Sequence, residues 1–139
     1  MTATQSVEAA ARATEDWIDD FVQHLGWRDR DRVYLALIAA MHALRDCLHK
    51  DEAIYLGAQL PTLLRGLYYE GWHPTSRPLA KSRSVFLGRI HDGSHRDSGV
   101  DAEQVARALF ALLAARLPAA EVEDAKASTP HALHNLWPS

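Results

Sequence analysis

Residues 33–70 read VYLALIAAMHALRDCLHKDEAIYLGAQLPTLLRGLYYE, and a weaker copy follows 69 positions later, where residues 102–139 read AEQVARALFALLAARLPAAEVEDAKASTPHALHNLWPS. Laid on each other without a gap, the two stretches agree at Ala39/Ala108, Leu44/Leu113, Leu48/Leu117, Glu52/Glu121, Ala58/Ala127, Pro61/Pro130, Leu64/Leu133 and Leu67/Leu136. An aromatic pair, Tyr68 and Trp137, closes the alignment. An internal repeat indicates an architecture built from two copies of one unit.

Composition bounds the class of protein. The chain has 139 residues, of which 47% are apolar and 24% charged, as expected for one soluble globular domain with a core. A net charge of −3 argues against nucleic acid or an anionic membrane as a partner. The single Cys47 excludes an internal disulfide and a cysteine-based zinc site. Residues 1–16 lack the pattern of an export signal, and the apolar stretch 33–43 is too short to cross a bilayer, so we expect a cytoplasmic protein.

Apolar residues recur three and four positions apart, which predicts helices, and no stretch alternates with a period of two. The predicted helices span residues 8–25, 29 or 31 to 48, 52–60, 61–70, 84–92, 102–117, 120–127 and 130–137. We therefore predict a single all-α domain over residues 1–139, with repeats at about 15–72 and 84–139 and a linker at 73–83. The predicted fold is a helical bundle of two tandem copies packed with pseudo-twofold symmetry.

Three segments carry a resemblance to a known family. They are AQLPTLLRGLYYEGW at residues 58–72, GWRDRDR at 26–32 and ALRD at 43–46. With them the chain resembles the bacterial domain of unknown function 2267 family, from about Trp17 to Pro138. The resemblance implies a small all-helical domain and brings no activity, cofactor or catalytic residue. Relatives are expected to repeat a Gln-Leu-Pro in the second half, where this chain has Ser128-Thr129-Pro130.

The strongest candidate site for a ligand or partner lies in and after the helix that begins at Pro61. Its residues are Arg65, Tyr68, Tyr69, Glu70, Trp72 and His73. Arg65 and Tyr69 are four positions apart and so share one helix face. Tyrosine and tryptophan combine a large contact area with a polar group, which suits pockets and protein contacts. The structural alternative is that Tyr68 and Trp72 fill a corner between the repeats while Arg65 pairs with Glu70 or a helix end.

Histidine and cysteine offer weaker candidates. His91 and His95 have the i, i+4 spacing of a metal-binding pair, but Gly93 between them and the missing third ligand favour a polar loop. His131 and His134 are expected to face solvent. Cys47 has no histidine on its own helix face, which favours a core position. We therefore predict no catalytic residue, no metal and no cofactor.

Three functions remain open at the level of sequence. The first is a non-enzymatic adaptor that binds another protein or itself through the aromatic corner around Tyr69 and Trp72. The second is a small-molecule or anion binding domain with a pocket near Arg65, Tyr69 and Trp72. The third, a metal-dependent enzyme or hydrolase, would need groups from both halves, such as His42, His49 and Asp46 with residues of the second copy.

Overall fold

The computed structural model describes residues 1–74 and 82–139, and within these ranges all regular secondary structure is helical, as predicted. The helices are α1 (Ala3–Leu25), α2 (Arg30–Cys47), α3 (Lys50–Ala58), α4 (Thr62–Tyr69), α5 (Arg83–Gly93), α6 (Ala102–Arg116) and α7 (Ala119–Ser128), followed by a 3-10 helix (His131–Leu136). Most of the predicted linker, residues 75–81, lies outside the described residues.

Local sequence signals set most helix ends. The aspartates Asp29 and Asp101 precede α2 and α6, and each carboxylate accepts two main-chain N–H groups of the first turn. Gly26 ends α1 in the left-handed conformation at φ +74°, which glycine adopts without steric cost. Helix α1 begins five residues earlier than predicted, because Thr2 and Gln5 form a reciprocal capping box before its alanine-rich first turns.

The core lies around α2 and α6. The predicted stripe on α2 is buried along its whole length and consists of Val33, Leu37, Ala40, Met41, Leu44 and Leu48. Helix α1 packs on α6, and α5 packs on α2, so each half covers the long helix of the other. Phe21, Phe86 and Phe110 are fully buried among these helices. Burial of each large apolar side chain contributes about 1.5–3 kcal/mol to folding.

Helix bounds recur between the halves at the offset of the repeat. The main chain leaves α2 at Leu48 and α6 at Leu117 with similar extended angles, and Pro61 and Pro130 precede the last segment of each half. The final segment differs, since α4 is an α-helix whereas residues 131–136 form a 3-10 helix. The predicted helix at residues 130–137 is present, and it has the 3-10 form. The pseudo-twofold packing of the two copies stays a prediction.

Candidate functional site

Arg65 caps the end of α3. Its Nε donates a hydrogen bond to the carbonyl oxygen of Gly57 at 2.9 Å, and its Nη2 donates to those of Ala58 and Leu60 at 3.2 and 3.0 Å. A helix C-terminus carries partial negative charge and unpaired carbonyl groups, so a guanidinium there satisfies both. Of the two pairings considered for Arg65, the structure shows the helix end.

The two tyrosines bind α4 to α3 at different depths. Tyr68 is buried, and its hydroxyl donates to the carbonyl of Ala53 at 2.7 Å. Burial raises the pKa of this hydroxyl, so it stays a neutral donor. The half-buried Tyr69 lies across Gly57, where any Cβ would collide with its phenol ring, and its hydroxyl donates to the carbonyl of Ile54 at 3.2 Å. Gly57 is therefore required by packing.

The remaining predicted residues lie at the rim of this corner. The Trp72 ring is half-buried and stacks on that of Tyr69, with ring centroids 5.4 Å apart and planes 21° apart. The side chains of Glu70 and His73 are exposed. The structure thus brings Tyr68, Tyr69 and Trp72 into one aromatic cluster. Their role in binding stays a prediction.

A buried ion-pair network lies beside this corner. Arg45 is buried, and its Nη1 donates to the carbonyl oxygens of Tyr68 at 2.8 Å and Glu70 at 2.9 Å, at the end of α4. Its Nε donates to Asp46 Oδ1 at 2.9 Å. Arg89 of α5 donates through Nη1 to Asp46 Oδ2 at 3.0 Å. The network therefore joins α2, α4 and α5.

His42, Arg45 and His49 are three and four positions apart, which predicts a polar stripe on α2 that is solvated or paired within the chain. For Arg45 the structure shows pairing within the chain. Asp46 has a predicted role only in the possible enzyme, and Arg89 has none. An adjacent arginine and aspartate in the last turn of a helix that is apolar over most of its length is a signal for a buried pair, because such charges need partners when desolvated.

A groove runs between α2 and α5 beside this network. It encloses a cavity of about 660 Å3, and its lining includes His42 and Asp46 from α2 with Gly88, Arg89 and Asp92 from α5. His42 Nε2 lies 2.8 Å from the carbonyl oxygen of Leu67. A carbonyl oxygen only accepts, so Nε2 carries the hydrogen. We refer to this feature as the α2–α5 groove.

A pair of carboxyl groups joins the halves at a second place. Glu52 and Glu121, which are equivalent in the repeat, meet between α3 and α7. One carboxylate oxygen of each residue is buried there, and when both residues are taken as ionised, neither oxygen has a hydrogen-bond donor among the described residues. Burial, a hydrogen bond to Glu121 and the charges of Glu121 and Asp124 raise the pKa of Glu52 to about 7. A hydrogen bond between two carboxyl groups requires a proton on one of them.

The other candidates take the following positions. Helix α5 ends at Gly93, so His91 and His95 do not share a helix, and His95 has a positive φ of 58°. His131 is exposed, and the ring of His134 contacts the carbonyl of Thr129. Within residues 1–74 and 82–139, no three His, Cys, Asp or Glu side chains are grouped to hold a metal ion.

Cys47 occupies the core position that the helix spacing predicts. Its side chain is fully buried, and its thiol donates to the carbonyl of Leu44 at 3.1 Å. Burial first, and the charge of Asp46 second, raise the pKa of the thiol, so it stays protonated.

The structure defines a small all-α domain in which a buried polar network joins α2, α4 and α5. The chain belongs to the family described as "Uncharacterized conserved protein (DUF2267)", whose model matches residues 14–136. Comparison with curated proteins finds no match. Of the helices in the described ranges, none has the length and apolar character needed to span a bilayer.

Proposed function

We propose that this protein is a non-enzymatic interaction module that binds another protein through the outer side of α3 and the adjoining aromatic stack. The surface consists of Ile54, Tyr55, Tyr69 and Trp72, and we refer to it as the α3 surface. The observation that supports it is exposure: Ile54 is 41% and Tyr55 61% accessible, next to the half-buried Tyr69–Trp72 pair. Exposed aromatic and aliphatic side chains grouped together favour a protein contact.

The α3 surface is held in place before any partner arrives. Hydrogen bonds from Arg65, Tyr68 and Tyr69 to main-chain carbonyls tie α4 to α3. A rigid surface loses little conformational entropy on binding, which favours affinity. The same bonds occupy the Arg65 guanidinium, so a pocket in which Arg65 holds an anion is the less favoured alternative.

The charged residues next to the α3 surface indicate the chemistry of its partner. Among the described residues next to the α3 surface in the chain, Asp51 and Glu70 are exposed together with Lys50. A second copy of the chain would bring the same acidic border against itself, which is unfavourable. We therefore propose a partner that has apolar anchors flanked by lysine or arginine.

A displayed library of random peptides, selected on the intact chain, tests this proposal. Selection against the double variant Ile54→Ser/Tyr55→Ser removes peptides that bind elsewhere. The expected result is a set of peptides with an apolar anchor and flanking basic residues. By isothermal titration they bind the wild type and lose affinity at least about tenfold for the double variant.

Leu63→Ser is the matched control. Leu63 is 46% exposed, which is similar to Ile54. It lines a cavity together with Thr14 and Tyr34 and is not part of the α3 surface. Peptides selected on the wild type should bind this variant with unchanged affinity. Failure to enrich any peptide, or equal binding to the wild type and the double variant, would contradict the proposal, as would a wild type that dimerises through α3 in sedimentation experiments.

A further inference from the structure

The α2–α5 groove is open at one end because of two glycines. At Gly93 the helices are in close contact, since a Cβ there would lie 2.7 Å from the Cβ of Ala39. At Gly88, less than two turns away on α5, a Cβ would meet nothing within 4 Å. The helices therefore touch at the Gly93 end, while the space above Gly88 belongs to the groove. A volume of about 660 Å3 falls within the range of small-molecule sites.

Arg89 presents unused hydrogen-bond donors at this groove. Its Nη1 is bonded to Asp46, whereas its Nε and Nη2 have no partner among the described residues. The side chain is 39% exposed, and the aspartate that orients it is 10% exposed. A guanidinium that is bonded through Nη1 alone keeps its Nε–H and Nη2–H groups available to a carboxylate.

The other polar groups of the groove restrict the charge of a ligand. Arg45, Asp46 and Asp92 also line it; Asp46 is paired with Arg45 and Arg89, and Asp92 with Arg96 at 3.2 Å. The lining therefore holds two arginines and two aspartates, and the unused nitrogens of Arg89 favour a ligand with a single negative charge over a dianion. His42 also lines the groove, and its Nε2 donates to the carbonyl oxygen of Leu67.

Apolar side chains complete the lining. Ala39, Ala43 and Val85 surround the space above Gly88. We propose that the α2–α5 groove binds a small monocarboxylic acid, with its carboxylate on the free edge of Arg89 and its apolar body over Gly88. This site is distinct from the α3 surface.

Titration of the intact 15N-labelled chain with benzoate, followed by NMR, tests the proposal. Benzyl alcohol serves as the neutral probe and sulfate as the dianionic one. We expect benzoate to shift amide signals in residues 39–46 and 85–93 with a Kd of about 1 mM, as is usual for a ligand of this size. Absence of such shifts, or equal or tighter binding of benzyl alcohol or sulfate, overturns the proposal.

Two variants and their controls locate the site. Gly88→Leu adds a side chain at the groove where a Cβ meets nothing within 4 Å, and it replaces a helix glycine by a better helix former, so we expect the fold to be retained. Gly66→Leu is the matched control, since Gly66 of α4 also has open space around its Cβ. Arg89→Gln removes the anion partner, and Arg83→Gln on the same helix is its control. We expect benzoate affinity to fall at least about tenfold in both groove variants and in neither control. Unchanged affinity in Gly88→Leu overturns the assignment.

Discussion

The segments that end the two halves, Thr62–Tyr69 and His131–Leu136, share their apolar positions and differ in their polar ones. Both follow a proline, and both bury a leucine at the same position of the repeat, Leu64 and Leu133. Position 65 is an arginine that makes three hydrogen bonds to the end of α3, whereas its equivalent, His134, has a single contact. The repeat has thus kept its hydrophobic framework but not its polar contacts.

The long helices show the same difference. His42, Arg45 and Asp46 of α2 correspond to Ala111, Ala114 and Ala115 of α6. The buried network therefore exists once, and both sites that we propose lie on or beside the first half. A core tolerates duplication because apolar packing is non-directional, whereas a network of charges needs each partner in place.

The largest expected loss of folding stability comes from Arg45→Ala. This change removes the donor to Tyr68 and Glu70 and leaves the buried Asp46 with Arg89 alone, so we expect a loss of about 3–5 kcal/mol in the free energy of unfolding. Urea denaturation measures it. The second half offers a comparison in Arg107, which also reaches the last segment of its half, through the carbonyl of Asn135, but is 48% exposed. Arg107→Ala should cost far less, and equal losses would contradict the comparison.

A smaller difference in the free energy of unfolding is expected between Arg65→Ala and His134→Ala, whose positions are equivalent in the repeat. Arg65→Ala removes three hydrogen bonds to carbonyl groups at the end of α3 and should cost about 1–2 kcal/mol. His134→Ala removes one contact and should cost less than about 1 kcal/mol. Urea denaturation of the two variants under identical conditions gives the comparison. A larger loss in His134→Ala would show that the second half depends more on its polar contact than the structure indicates.

The smallest expected effect on stability concerns Glu52 and Glu121, which occupy equivalent positions of the repeat. The pKa of Glu52 is raised from 4.5 to about 7 in the folded chain, so folding favours its protonated form. Its stabilising contribution is therefore complete below about pH 4.5 and is lost as the pH rises through about 7. Glu52→Gln should remove this dependence and raise the melting temperature by a few degrees at about pH 8, with little change at about pH 5.

Thermal denaturation followed by circular dichroism at both pH values makes this measurement. Glu123→Gln, an exposed carboxyl on α7, is the matched control and should leave the pH dependence of the wild type unchanged. If Glu52→Gln and Glu123→Gln behave alike, the two carboxyl groups do not share a proton.

Sequence was sufficient for the helices and most of the core. The predicted bounds of α6 agree with the structure to within one residue, because Asp101 caps its start and Pro118 follows its end. The buried stripe of α2 follows directly from the helical period. Of the candidate site, the helical neighbourhood of Arg65 and Tyr69 was predictable from their spacing. That Arg65 would bond to the end of α3 was one of two alternatives that spacing could not separate.

What only the tertiary structure decided is which polar groups meet. Arg45 reaches Glu70 and Asp46 reaches Arg89 across helices that are far apart in the chain, and such contacts leave no periodic pattern in the residues between them. The spacing of apolar residues likewise does not predict the 3-10 form of residues 131–136, because the same spacing is typical of an α-helix. Helix formation and apolar burial depend on residues a few positions apart, and so the sequence alone determines them. Polar networks, the α2–α5 groove and the meeting of Glu52 with Glu121 depend on the relative placement of whole helices, which packing determines.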